Sequence, residues 1–165
     1  MVTTESVARF LAQPRITVVG ASDAKDNFGG AIYRALKAHG HDVVAVNPKA
    51  RQVDGDSCYP SLASVPGSLG GVLVMVNAAD AVEVVLECAS FQVRDIWLFK
   101  GLGGPGAVSD EAIDLCHQAG VNVVEGACPM MFLEPVGVAH RIHRGLRRLN
   151  GSFKLAETSE PKRAA

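Results

Sequence analysis

Short apolar runs alternate along most of the chain with longer segments whose apolar residues recur every three or four positions. ITVVG (16–20), DVVAVNP (42–48), GVLVMVN (71–77), DIWLFK (95–100) and VNVVE (121–125) are β-rich and bounded by Gly, Pro or polar residues. That is the profile of strands buried on both faces of a parallel sheet. Between them the spacing predicts helices. One runs from about Gly29 to His39, with Ile32, Ala35 and Leu36 on one side and Gly40 at its end. Others cover 79–90 and 109–120, the latter with Ser109 as cap and acids in its first turn. A leading helix is expected over 6–13, stopped by Pro14. The segment 49–70 is turn-rich, with a small strand near Cys58–Tyr59.

Five strands alternating with helices predict an α/β fold, a doubly wound, Rossmann-like parallel sheet in a single domain. Numbered along the chain, the strands take the order 2-1-3-4-5. The ligand cleft then lies beyond the carboxyl ends of strands 1 and 3, where the winding reverses. The domain is expected to span 1–135. A helix over 136–150 follows, with Val138, Ile142, Leu146 and Leu149 as its apolar stripe and Arg141, Arg144, Arg147 and Arg148 off it. The polar tail, 151–165, reads as disordered.

Composition narrows the function. The net charge of −1 argues against coating nucleic acid, and the 48 % of hydrophobic residues favours a packed globule. No apolar run has the length of a membrane span and no secretory leader is visible, so a cytoplasmic protein is expected. Cys58, Cys88, Cys116 and Cys128 are scattered without a C-x-x-C pair, which reads as reduced thiols and no metal site.

The strand ends carry the candidate chemistry. After strand 1, Gly20-Ala21-Ser22 turns toward a helix, a place where backbone N–H groups and the helix dipole can hold a diphosphate. Ser22 adds a hydroxyl and Lys25 a cation, while Asp23 and Asp26 bring opposing charge. The dinucleotide fingerprint needs glycine at 22 and 25, and an acid after strand 2. The chain has Ser22 and Lys25, and Asn47-Pro48-Lys49 with Arg51 where the acid belongs. A cationic strand end suits an extra ribose phosphate, 2′ in NADP or 3′ in coenzyme A. Asn77 ends strand 3, as a helix cap or a ligand contact. Leu98, Phe99 and Lys100 end strand 4 before a glycine-rich loop. Cys128, Pro129, Met130 and Met131 follow strand 5 as a sulfur-lined slot for a pantetheine arm.

VVGAS, VNPK, WLFKGL and VVEGACPMM, in this order at these strand ends, resemble the CoA-binding domain family. This is the Rossmann-like domain at the amino end of succinyl-CoA synthetase alpha subunits and ADP-forming acyl-CoA synthetases. The chain looks most like its small stand-alone bacterial members, over residues 10–135 or so. The resemblance implies coenzyme A or an acyl-CoA along Gly20, Ala21, Ser22, Asp23 and Lys25, with Lys49 after Asn47 and Pro48. It also implies contacts from Leu98, Phe99 and Lys100, with Asn77 and Cys128 at the matching positions. The synthetases favour an acid where Lys100 stands. Their phosphohistidine and ATP-grasp domains have no counterpart here, so the expectation is binding without catalysis and no catalytic residue. A separate synthetase-type partner chain or a homodimer would fit. The rival readings are an NADP-dependent oxidoreductase, and an interaction subunit with a vestigial nucleotide site that works through the basic helix. A weaker expectation is a mixed disulfide between Cys128 and CoA.

Overall fold

Alternate residues of a strand face opposite sides of its sheet, so strands that are apolar throughout need cover on both faces. The computed structural model of the protein meets that need; it describes residues 2–101 and 106–133 and the backbone of 153–154. In chain order the elements are β1 (Val2–Thr3), α1 (Thr4–Leu11), β2 (Arg15–Val19), α2 (Phe28–Ala38), β3 (Asp42–Val46), β4 (Gln52–Val53) and β5 (Asp56–Tyr59). They continue with β6 (Gly71–Val74), α3 (Ala78–Ser90), β7 (Asp95–Phe99), α4 (Asp110–Gln118), β8 (Asn122–Ala127) and β9 (Phe153–Lys154).

The main sheet runs β4-β5-β3-β2-β6-β7-β8. The five predicted strands are β2, β3, β6, β7 and β8, and they sit in the predicted order. The sheet has seven strands rather than five: β5 is the small strand expected near Cys58–Tyr59, and β4 is a further one in the same turn-rich segment. β5 pairs parallel with β3, and β4 folds back antiparallel on β5. Asp54 and Gly55 make that reversal with φ of 54° and 80°, the backbone a two-residue Asp-Gly hairpin demands. The signal was Asp54-Gly55 itself, flanked by strands too short to show periodicity.

One face of the sheet presents Ile16, Val18, Leu73, Trp97 and Val124 to Phe10 of α1 and to Ile32, Tyr33 and Leu36 of α2. The other presents Val72, Val74, Ile96, Leu98 and Val123 to Val85 and Cys88 of α3 and to Ala112 and Cys116 of α4. Trp97 is wholly buried; Phe10 meets its ring edge-on at 5.2 Å and its Nε1 donates to the Ala127 carbonyl at 2.9 Å. At the amino end of the sheet Asp95, also buried, accepts from Arg9, Gln13 and Asn122 at 2.7–3.0 Å, fastening α1 to β7 and β8. The first helix starts at Thr4, two residues before the predicted position, because Thr3 and Ser6 form a capping box.

β9 lies parallel to β1, with Val2 opposite Phe153 and Thr3 opposite Lys154. At these two residues the expected disordered tail is a strand. The expected helix 136–150, with its arginines, and the rest of the tail lie outside the described residues, as do residues 102–105 of the glycine-rich loop. Among the described residues no helix is long and apolar enough to cross a membrane.

Candidate functional site

The chain leaves β2 in the gap between β3 and β6. The Gly20 N–H donates to Val46 O and the Met75 N–H to Val19 O, both at 2.8 Å. Gly20 has a φ of +95°, and a Cβ there would stand 2.9 Å from Met75 O. Only glycine makes this turn without strain.

Three side chains shape the turn. Asn27 caps α2: its Oδ1 accepts from Gly30 N at 2.8 Å and Ser22 N at 3.1 Å, and its Nδ2 donates to Gly20 O at 3.2 Å. Asn47 reaches across from the end of β3, donating to Ala21 O at 2.9 Å and accepting from Lys49 N at 2.9 Å. Asp23 turns away from the cleft. Its carboxylate accepts from Asp54 N, at the hairpin tip, at 3.0 and 3.1 Å, and pairs with Arg34 at 3.1 Å. Of the two acids that weighed against an anion site, Asp23 is therefore compensated, whereas Asp26 has no cation partner among the described residues and borders the cavity beside Lys25. Ser22 Oγ accepts from Ala24 N at 3.1 Å, leaving its hydroxyl proton available.

Loop and helix touch backbone to backbone. A Cβ on Gly30 would lie 2.0 Å from Ser22 O, and one on Gly29 would lie 2.8 Å from Gly20 O. Here Gly29 and Gly30 supply the close packing that later glycines give the dinucleotide fingerprint. Asn27, Gly29 and Gly30 are site residues missing from the sequence reading. An Asn immediately before a helical run was the available sign.

The cations divide sharply. Arg9, Arg15, Arg34 and Lys37 each pair with a carboxylate. Lys25, Lys49, Arg51, Arg94 and Lys100 have no carboxylate partner among the described residues. Four of the five follow carboxyl ends of the sheet, Lys25 after β2, Lys49 and Arg51 after β3, Lys100 after β7, whereas Arg94 precedes β7 at the opposite edge. Beside the first turn Lys25, Phe28 and Ala31 border an open cavity of about 260 Å³, and Phe28 is 67 % exposed, unusual for a large apolar side chain.

The other predicted positions separate. Pro48 and Lys49 are exposed at the end of β3. Asn77 caps α3, accepting from Asp80 N at 2.9 Å and donating to its carboxylate at 2.8 Å, so both ends of its amide are taken. Phe99 is half-buried above a bulge that places it opposite Ala127, and the stem of Lys100 crosses the backbone of Gly126. Leu98 belongs to the core. Cys128 packs in the opposite core cluster with Ala21, Ala127 and Met131, and burial pushes its thiol pKa up. Neither of these two side chains is open to the carboxyl-edge cleft. Cys128 and Met131 are buried in the core rather than lining the expected open slot, and of its sulfur residues only Met130 is partly exposed.

A family model described as a CoA binding domain matches residues 14–134. An ADP-forming acetate–CoA ligase I of Archaeoglobus fulgidus is 30 % identical over 118 residues, which are 68 % of this chain and 17 % of the ligase. The alpha subunit of an ADP-forming acetate–CoA ligase II of Pyrococcus furiosus is 25 % identical over 126 residues, 72 % of this chain and 28 % of that subunit. The chain thus matches well under a third of the length of either relative. A hypothetical protein of Pyrococcus horikoshii has a solved structure that superposes with a TM-score of 0.72 at 27 % identity, covering 80 % of this chain and 90 % of its own. With the Gly20 turn, the cationic end of β3 and a family match across the whole sheet, the chain belongs to the CoA-binding domain family.

Proposed function

We propose that the protein binds coenzyme A or a short acyl-CoA across the carboxyl edge of its sheet, as a module without catalysis of its own. The observation that carries this reading is the group of cations at that edge, Lys25, Lys49, Arg51 and Lys100, without carboxylate partners among the described residues. A diphosphate takes the outer amides of the turn, the Ser22 hydroxyl and Lys25. The Asn27 carboxamide already holds the amides of Ser22 and Gly30, which fixes the turn before any ligand arrives. Lys49, with Arg51, meets the 3′-phosphate. The pantetheine arm runs over Phe99 and Lys100 toward the glycine-rich loop. Lys100, where the synthetases favour an acid, makes that end of the cleft cationic.

Three features support binding without turnover. All four cysteines are buried and free. The His39 ring bonds the Ala35 carbonyl of its own helix at 2.7 Å. His117 lies 3.6 Å from Glu125 beside α4, not at the Gly20 turn. One related ligase is named as an alpha subunit. The working state we infer is therefore a CoA-loaded chain that delivers its ligand to a synthetase-type partner.

Calorimetric titration with CoA, 3′-dephospho-CoA, NADP and NAD tests the reading. CoA binds, and dephospho-CoA binds more weakly by about 1.5–3 kcal/mol, the worth of a charge-assisted hydrogen bond. Lys49→Ala removes most of that difference. Binding of NADP without CoA would transfer the site to the oxidoreductase reading.

A further inference from the structure

We infer that Asp23 is a specificity-determining positioning residue: it fixes the segment 47–54 at a set distance from the first turn and thereby selects a ligand with two separated phosphate groups. The inference rests on the proposed CoA site and adds to it the device that sets phosphate spacing.

The segment after β3 carries two cations without a carboxylate partner among the described residues, Lys49 and Arg51, on a short stretch of chain. The stretch is held to β5, where Asn47 N donates to Tyr59 O at 2.8 Å and Cys58 N donates to Arg51 O at 2.9 Å, so what remains to be set is the distance of this hairpin edge from the first turn. It is fastened at both ends to the same four-residue turn. At its start Asn47 Nδ2 donates to Ala21 O at 2.9 Å, and at its far end Asp54 N donates to both oxygens of Asp23 at 3.0 and 3.1 Å. The second fastening is itself braced. Arg34 of α2 holds Asp23, and Lys37, one helical turn on, pairs with Asp54 and Asp56 on the hairpin. Tyr33 completes the brace with a 2.9 Å hydrogen bond to Asp56. The hairpin tip can follow the first turn because Asp54 and Gly55 adopt left-handed backbone, which aims the Asp54 N–H at Asp23.

The cations are therefore bracketed between two hydrogen-bonded rungs that both end on the diphosphate turn. Asp23 does not touch the ligand in this arrangement. It acts through Asp54, and its removal unfastens the hairpin edge that carries the cations from the first turn, while Asn27 and Asn47 keep the turn in shape. The two effects separate in binding: affinity that depends on the 3′-phosphate falls, and affinity that depends on the turn alone is largely kept.

Dissociation constants for CoA and 3′-dephospho-CoA are measured for the native chain, Asp23→Ala and Asp23→Asn, with amide exchange at Asp54 followed by NMR. Asp23→Ala weakens CoA by about tenfold or more and dephospho-CoA by less than about threefold, with faster exchange at Asp54. Asp23→Asn keeps an oxygen for the Asp54 N–H and loses only an exposed ion pair of small worth, so it retains most of the preference. Equal weakening of both ligands by Asp23→Ala, or an Asp23→Asn variant as impaired as Asp23→Ala, would overturn the inference, since the turn or the charge would then be the cause. A preference unchanged in Asp23→Ala overturns it too and leaves the CoA site standing. A native chain that binds the two ligands equally removes the 3′-phosphate contact itself, and the inference with it.

Discussion

Asn27 uses both ends of its carboxamide, and the residue can be dissected for that reason. Its oxygen caps α2 and holds Ser22 N; its nitrogen holds Gly20 O. Asn27→Ala removes a helix cap and frees the turn, and about 2 kcal/mol of stability goes with it. Asn27→Asp restores the acceptor and so recovers most of that loss, yet it sets a carboxylate among the amides that would face a diphosphate. The two variants are expected to part company: Ala melts earlier with modestly reduced CoA affinity, whereas Asp melts near the native chain and loses CoA binding by tenfold or more, about 1.4 kcal/mol. Urea melts and titration on the same samples check it. If Asp binds CoA as well as the native chain does, the turn holds no anion.

Among elements, the contact between α2 and the Gly20 turn is the most sensitive. Replacing a helical glycine by alanine ordinarily favours a helix by about 1 kcal/mol. At Gly30 the new Cβ would meet Ser22 O at 2.0 Å, so the loop must move. The expected net result is destabilisation of about 1–3 kcal/mol, the cost of overpacking, with CoA affinity reduced because the displaced residue is Ser22. A Gly30→Ala chain more stable than the native one, by urea midpoint, would show that loop and helix are not in contact. This contact also marks what the sequence could show. Strand positions and order were legible because buried parallel strands are apolar throughout and right-handed crossovers leave few topologies. The first-turn glycine, the Lys49 end of β3 and the caps at Ser109 and Asn77 were legible from local chemistry. Of the β4–β5 hairpin only the small strand near Cys58–Tyr59 was: β4 is two residues long, too short for a period, and the Asp-Gly turn lies in a polar stretch. Nor was Asp23's role, since the hydrogen bond to Asp54 spans 31 positions. Leu98 and Cys128 sit at the right strand ends, but which face each side chain takes depends on a bulge at Leu98/Phe99 and a turn at Pro129.

For the whole molecule, the buried thiols make stability depend on pH on the alkaline side. Burial is the first cause of a raised pKa at Cys58, Cys88, Cys116 and Cys128; Cys116 is pushed up to about 11 and Cys88 further. Tyr33 is raised as well, by burial and then by its hydrogen bond to Asp56. Once unfolded, the thiols titrate near their ordinary value of 9.0 and the tyrosine near 10.0. Below pH 9 both states hold these protons, and the stabilisation they represent is fully present. Above it the unfolded chain releases protons that the native chain keeps, so stability falls as pH rises, until each folded pKa is passed. One such thiol contributes a slope of about 1.4 kcal/mol per pH unit. Urea midpoints at pH 7, 9, 10 and 10.5 should be level to about pH 8.5 and then drop, more steeply once Tyr33 joins. Cys88→Ala should lessen the fall between pH 9 and 10 by about 1 kcal/mol, at a modest fixed cost at every pH from the small cavity left between α3 and α4. A native chain whose urea midpoint stays level through pH 10.5 would mean that these groups meet water, and that neither helix layer closes over the sheet as the two core clusters require.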